Sequence, residues 1–157
     1  MDGYRCVTTE AVRQELQRGS DNDARIGAAL DVPWLEVVDI NDLDALYAFA
    51  IYMDRLGNRR RNAGEASVLV SAEVHDVSAY VDDQVACNVG RQRGVSVRRT
   101  LELIIRAYEQ GIFFEDRAQK LVTDLVEGDA RFPQQAKEDL SEGLELRGSC
   151  DRRRRRK

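Results

Sequence analysis

The sequence predicts an α/β domain in which helices cover both faces of a central parallel sheet. Apolar strand patterns alternate with helix patterns along the chain, as is typical of such sheets. A length of 157 residues suits one domain with a substantial core. The sequence contains no run of about 18 apolar residues, the length that would indicate a membrane span. The expected architecture is therefore a three-layer α/β/α fold.

The first half of the chain alternates strand and helix patterns twice. Segment 4–9, YRCVTT, favours a strand, and 10–19 has helical spacing that stops at Gly19. The polar segment 20–33 is expected to be a loop with a short helical turn. Segment 34–40, WLEVVDI, predicts a strand. The helix predicted at 41–57 has apolar residues at helical spacing and a closing glycine: Leu43, Leu46, Tyr47, Phe49, Ala50, Met53 and Gly57.

The second half continues the alternation after a basic loop, NRRRNAG. Helices are predicted at 65–76, 83–94 and 99–111, strands at 77–82 and 95–97, and two more helices at 116–128 and 133–145. Gly111 lies just past the end of its helix, where glycine commonly ends helices.

The charge is unevenly distributed. The chain has 24 basic and 28 acidic residues, but its last nine residues, SCDRRRRRK, contain six basic residues and one acid. Residues 1–150 therefore have 18 basic and 27 acidic residues, a net charge of −9. An acidic body does not attract nucleic acid through bulk electrostatics. A ligand with phosphates would need local basic groups, such as those of the tail, or a bridging cation.

The N-terminus and the cysteines favour a cytoplasmic location. MDGYRCVTTEAV lacks the basic and apolar blocks of a signal peptide. Cys6, Cys87 and Cys150 are odd in number and lack metal-type spacing, as is typical of reduced thiols. Two of them are expected to be buried and the third to lie in the tail.

Acidic residues mark the ends of the predicted strands. Asp82 and Asp83 stand where strand 77–82 meets its helix, and Glu65 follows Gly64 at another helix start. The carboxyl ends of parallel strands form the functional edge of such folds. Helix capping accounts for any one of these acids, but only one of two adjacent acids can cap well. Converging carboxylates repel each other unless a cation lies between them, and Mg²⁺ or Mn²⁺ suits carboxylate oxygens. The residues alone leave caps and metal ligands both open.

Other candidate residues favour structural roles. His75 is the only histidine, lies at a helix end near Asp76, and is expected to be a C-terminal cap. From periodicity alone Glu15 is an exposed helix residue. The chain has no Ser/His/Asp arrangement, no P-loop and no dinucleotide fingerprint.

Segment 62–111, NAGEASVLVSAEVHDVSAYVDDQVACNVGRQRGVSVRRTLELIIRAYEQG, resembles the PIN-domain family. It matches the branch with Gly-Glu, an apolar helix, a strand, Asp-Asp, a helix, a strand and Thr-Leu. TTEAVRQEL at 8–16 is similar to the family's second strand and following helix, so the resemblance covers nearly all of 4–140. It implies a Mg²⁺- or Mn²⁺-dependent ribonuclease, which in many bacterial members is the toxin of a toxin–antitoxin pair. The partners considered are RNA, an antitoxin protein and, in a homodimer, a second copy.

The resemblance also implies an acidic site. Matched position by position, Glu15, Glu65, Asp82 and Asp83 are the expected ligands, and Thr100 is the expected polar support. Their implied role is to hold one or two metal ions that position and activate a water against a phosphodiester. In the family, an Asp-bearing strand and a helix precede the part that matches here. The expectation is therefore a gap in both the sheet and the metal site.

Residues 1–146 are thus expected to be a PIN-like domain shortened at its N-terminus, and 147–157 a basic disordered tail. One alternative to the enzyme is an inactive PIN remnant that binds nucleic acid or a protein partner. Another is an unrelated doubly wound domain whose acids are only caps.

Overall fold

A computed structural model of the chain describes residues 5–57 and 60–127. The chain divides into two compact units, 1–98 and 99–157. The first contains β1 (Cys6–Thr9), α1 (Glu10–Ser20), α2 (Ala24–Gly27), β2 (Leu35–Val38), α3 (Leu43–Arg55), a 3₁₀ turn (Arg60–Asn62), α4 (Ala63–His75), β3 (Ala79–Tyr80), α5 (Gln84–Gln92) and β4 (Val97–Arg98). The second contains α6 (Thr100–Glu109) and α7 (Glu115–Glu127).

The strands form two parallel pairs. β1 pairs with β2, with Cys6 opposite Leu35, and β3 pairs with β4, with Ala79 opposite Val97. The α/β class and the parallel pairing predicted from the sequence are confirmed. Within the described ranges the strands make two separate two-stranded sheets, so the expected single central sheet is only partly defined.

Helix α4 forms the centre of the first unit. Its sequence is apolar on nearly all sides, and such helices are buried. It contacts α1, α3, α5, β1 and β3, and Ala66, Leu69 and Val70 are completely buried. Gly90 lets α5 approach closely, because a Cβ there would lie 2.6 Å from Cδ2 of Leu69. The fold therefore places the start of α4, including Glu65, among several packed elements.

A polar cluster also links α3 and α4 to Arg93, the residue that follows α5. The Tyr52 hydroxyl donates to Oε2 of Glu73 at 2.6 Å, and Nε of Arg93 donates to the same oxygen at 2.9 Å. The Arg93 guanidinium lies 5.0 Å from the centroid of the Tyr52 ring, within the range of a cation–π contact. Burial, followed by the Glu73 carboxylate, raises the pKa of Tyr52 to about 12, so the phenol stays neutral and donates this bond.

Most element predictions are confirmed, with local differences. The strand predicted at 77–82 is reduced to Ala79–Tyr80, and the strand predicted at 95–97 is found at Val97–Arg98. Cys87 is buried as expected, but Cys6 is exposed because it begins β1, so the prediction for Cys6 was wrong. The helix predicted at 133–145 and the tail 147–157 lie outside the described residues.

The second unit packs α6 against α7. Ile104 and Ala118 are buried there, with Leu121 and Leu125 packed around them. The Glu102 carboxylate accepts a hydrogen bond from the Arg99 N–H at 3.3 Å, at the start of α6. Among the helices of the described ranges, none is both long and apolar enough to cross a membrane.

Candidate functional site

A small pocket opens at the first turns of α4 and α5. Two of the acids predicted from the sequence line it, together with a basic residue, an amide and three apolar residues. The lining residues are Leu56, Arg61, Asn62, Glu65, Asp83, Val85 and Ala86.

Glu65 stands in the first turn of α4, where the helix dipole favours a carboxylate. Its Oε2 is buried and has no hydrogen-bond partner among the described residues. A buried carboxylate oxygen without a partner is costly, and in native proteins it often marks the place of an ion or a water. Glu65 is therefore the acid of this pocket that most clearly lacks a partner.

Glu15 reaches the same helix start from α1. Thr9 caps α1 by accepting a hydrogen bond from the Val12 N–H at 3.4 Å, and its hydroxyl pairs with that of Ser67 at 2.6 Å. These contacts hold the start of α1 against α4. The Glu15 carboxylate then accepts a hydrogen bond from the Gly64 N–H at 3.2 Å.

The electrostatics of Glu15 reflect this position. Burial raises its pKa, and the neighbouring Glu65 carboxylate raises it further, against the opposing effects of the Gly64 N–H and of Arg18. Glu15 is half-buried, so the exposed position suggested by periodicity was wrong, because α1 packs against α4. The two glutamates thus interact electrostatically at the first turn of α4.

Asp83 caps α5. Its Oδ1 accepts a hydrogen bond from the Ala86 N–H at 2.9 Å, and its backbone is extended, as is typical of an N-cap. The capping interpretation is therefore confirmed for Asp83, which also lines the pocket with Glu65. Asp82 lies between the buried Val81 and Asp83. It is half-buried and is not among the residues that line the pocket.

Thr100 begins α6 in the second unit. Its predicted role as polar support for the acidic site stays a prediction.

Carboxylate oxygens are the donors that Mg²⁺ and Mn²⁺ prefer, and Mg²⁺ is often held by only one or two protein carboxylates with waters and phosphates completing its shell. The partnerless Oε2 of Glu65 beside Glu15 fits such an ion. In the part of the chain that the structure describes, no group of three or more His, Cys, Asp or Glu is arranged to hold a metal. An ion held at Glu65 and Glu15 would therefore have few protein ligands.

Two lining residues were not singled out from the sequence. Arg61 is exposed, and Asn62 donates a hydrogen bond from Nδ2 to the Leu56 carbonyl. Both belong to the segment NRRRNAG, which the sequence marks only as a basic loop. Their position just before the Gly-Glu pair is the signal that could have identified them.

The family model DUF3368, described as PIN domain, matches residues 3–144. No curated protein and no solved structure matches the chain significantly.

Proposed function

This chain belongs to the PIN-domain family, and from that premise we propose that it is a Mg²⁺- or Mn²⁺-dependent ribonuclease that hydrolyses phosphodiester bonds. PIN domains generally have nuclease activity and depend on divalent metals. The observation that supports the proposal most directly is the pair of carboxylates, Glu15 and Glu65, at the start of α4. Oε2 of Glu65 has no partner among the described residues, and a hard divalent cation would supply one.

Each residue of the proposed site has a separate role. Glu65 and Glu15 would hold the ion, which when bound would supply a Lewis acid and an activated water. Asp83 would add a carboxylate from the same pocket while it caps α5, and Asp82 and Thr100 remain proposed as a ligand and a polar support. A bound ion would also relieve the repulsion between the Glu15 and Glu65 carboxylates, because it would compensate both charges.

Arg61 is the proposed contact for the RNA backbone. It is exposed, lines the pocket, and makes no ion pair with any described residue. A guanidinium in this position can donate two hydrogen bonds to a phosphate oxygen pair. It would offset locally the acidic charge of the chain, which otherwise repels RNA.

Titration with Mn²⁺ tests the proposal. A ligand that binds only the folded state raises the melting temperature by mass action, so Mn²⁺ should stabilise the wild type. Glu15→Gln and Glu65→Gln should each lose most of that rise. Asp54→Asn, which neutralises an exposed acid on α3, is the control and should keep it.

Cleavage of a single-stranded RNA in Mn²⁺ should follow the same order. We expect the rate to fall by at least about 10-fold in Glu15→Gln and Glu65→Gln, as is usual when a metal site is damaged, and to disappear in EDTA. An equal Mn²⁺ response in all four proteins would remove these glutamates from the site.

The alternative function is that of an inactive PIN remnant that binds nucleic acid or a protein. The small number of carboxylates gathered in the described residues favours it. RNA binding and Mn²⁺ stabilisation without any RNA cleavage would identify this alternative.

A protein partner, either an antitoxin or a second copy of this chain, is supported by one surface. On α3, Leu43 is 84% exposed and Tyr47 is 72% exposed, with Leu46 on the same helical face. Apolar side chains grouped in this way are typical of protein–protein contacts. Light scattering of the purified chain, alone and with Tyr47→Lys, tests the homodimer.

A further inference from the structure

Gly64 allows a carboxylate to approach the start of α4 closely. It is buried in the first turn of the helix, and a Cβ at this position would lie 2.5 Å from Oε2 of Glu15, 3.0 Å from its Cδ and 3.1 Å from its Oε1. Real Cβ atoms do not approach other atoms to 2.5 Å. The Glu15 carboxylate therefore occupies space that any other residue at position 64 would fill.

Backbone conformation does not explain this glycine. The glycines with positive φ among the described residues are Gly57, Gly94 and Gly111, and Gly64 is not one of them. The absent side chain, rather than the wider conformational freedom of glycine, is what the structure uses here.

The contact also supplies what the start of α4 otherwise lacks. Asn62 occupies the N-cap position of α4 but makes no side-chain capping hydrogen bond. The Gly64 N–H donates instead to Oε1 of Glu15, an acceptor that comes from a different helix. The same contact brings Glu15 next to the helix turn that contains Glu65.

We propose that Gly64 is a positioning residue, whose missing side chain lets Glu15 reach the first turn of α4 and form the carboxylate pair with Glu65. This inference rests on the proposed metal-dependent function as far as the purpose of the pair is concerned. The contact between positions 15 and 64 stands independently of that function.

Gly64→Ala is expected to change the site without disrupting the fold. Alanine is the better helix former, and the atoms that it would displace belong to the flexible end of the Glu15 side chain. The Glu15 carboxylate should turn away while the helix stays intact. Glu15→Asp removes one methylene group and withdraws the carboxylate, so the double variant should accommodate both residues.

The first measurement is urea unfolding in EDTA of the wild type, Gly64→Ala, Glu15→Asp and the double variant. We expect all four to fold, with a non-zero coupling between the two positions because the substitutions share one contact. Additive effects would overturn the positioning role. Failure of Gly64→Ala to fold would overturn it as well, because the displacement would then involve more than one side chain.

The second measurement is the affinity for Mn²⁺ alone, by titration calorimetry on the same four proteins. Gly64→Ala should weaken binding by at least about 10-fold, and Glu15→Asp should restore part of it in the double variant. The matched control is Gly19→Ala in α1, where a Cβ would meet only the Ile26 side chain, at 3.3 Å. It should bind Mn²⁺ as the wild type does.

The two measurements distinguish the two proposals. Unchanged affinity in Gly64→Ala would overturn the positioning role and leave the metal site standing. If the two positions are coupled in EDTA but the wild type binds no Mn²⁺, the proposed function is overturned and the contact between positions 15 and 64 is retained.

Discussion

Glu15 is subject to opposing influences at the scale of a single residue. It is half-buried on α1 and faces the Glu65 carboxylate, while the Gly64 N–H donates a hydrogen bond to it. Burial and the like charge favour its neutral form, and the hydrogen bond favours its ionised form. Because the first two effects are larger, its pKa in the folded protein is raised above the usual value for glutamate.

Glu15→Gln should therefore stabilise the metal-free protein at neutral pH. An acid with a raised pKa in the folded state contributes stability below its unfolded pKa, and that contribution is lost as the pH rises through the folded pKa. Glutamine keeps an acceptor for the Gly64 N–H and removes the charge. We expect a gain of less than about 1 kcal/mol at pH 7 in EDTA, which shrinks towards acidic pH as the wild-type carboxyl becomes protonated, as measured by urea unfolding.

Glu10→Gln is the control for this prediction. Glu10 lies on the same helix, and its hydrogen bond with Arg13 lowers its pKa, so its neutralisation should give no gain at pH 7. A loss of stability in Glu15→Gln would show that the extra strength of the Gly64 N–H hydrogen bond to a charged acceptor outweighs burial and repulsion.

The residues of the proposed site were predictable from the sequence to different degrees. Glu65, Asp82 and Asp83 could be identified from their places at helix starts. Glu15 could be named only through the resemblance, because the periodicity of α1 does not show that α4 covers it. The hydrogen bond from Gly64 to Glu15 joins positions 49 residues apart, and local patterns contain no signal for such a contact.

At the scale of elements, helix starts were predicted better than strands. The start of α5 at Gln84 follows directly from the acidic pair, whose second member, Asp83, is the N-cap. β3 and β4 have only two residues each, and their ends depend on the pairing of Ala79 with Val97, which is not local. The apolar patterns at 77–82 and 95–97 indicated the strands but could not fix their ends.

The cap of α5 gives a prediction that separates Asp83 from a pure metal ligand. Asp83→Ala should cost roughly 0.5–2 kcal/mol in EDTA because the Ala86 N–H loses its acceptor. Asp83→Asn should be nearly neutral, since Asn caps as well as Asp does. The measurement is urea unfolding at pH 7.

The comparison of the two variants isolates the effect of charge at Asp83. Repulsion between Asp82 and Asp83, which the sequence suggested, would instead make both variants more stable than the wild type. Only a loss in Asp83→Ala together with a near-neutral Asp83→Asn agrees with the observed hydrogen bond.

At the scale of the whole molecule, charge opposes the proposed substrate. The body has a net charge of −9 over residues 1–150, whereas the end of the chain has six basic residues. Composition could predict this contrast because it needs no fold. The proposed arrangement that would overcome it is a cation at Glu65 with Arg61 beside the pocket. It depends on tertiary packing, which local sequence patterns do not reveal.

The five consecutive arginines at 152–156 lie outside the described residues, and their contribution to RNA binding can be measured directly. Replacement of all five by glutamine keeps the chain length and removes the charge. If these arginines neutralise RNA phosphates, affinity should fall at low salt. The slope of log K against log salt should then become shallower by about 0.7 for each phosphate that is no longer neutralised. The melting temperature should hardly change, as is usual for changes in a chain terminus.

The control for the tail replaces three arginines of the body, Arg5, Arg13 and Arg25, by glutamine. Each is paired with a neighbouring acid, Glu36, Glu10 and Asp23 respectively, so their replacement should leave the salt slope nearly unchanged. Binding of a fluorescent single-stranded RNA at about 50 and about 200 mM salt, the range over which phosphate contacts weaken most visibly, measures both variants. Equal affinities and slopes for the tail variant and the wild type would show that the tail does not hold RNA.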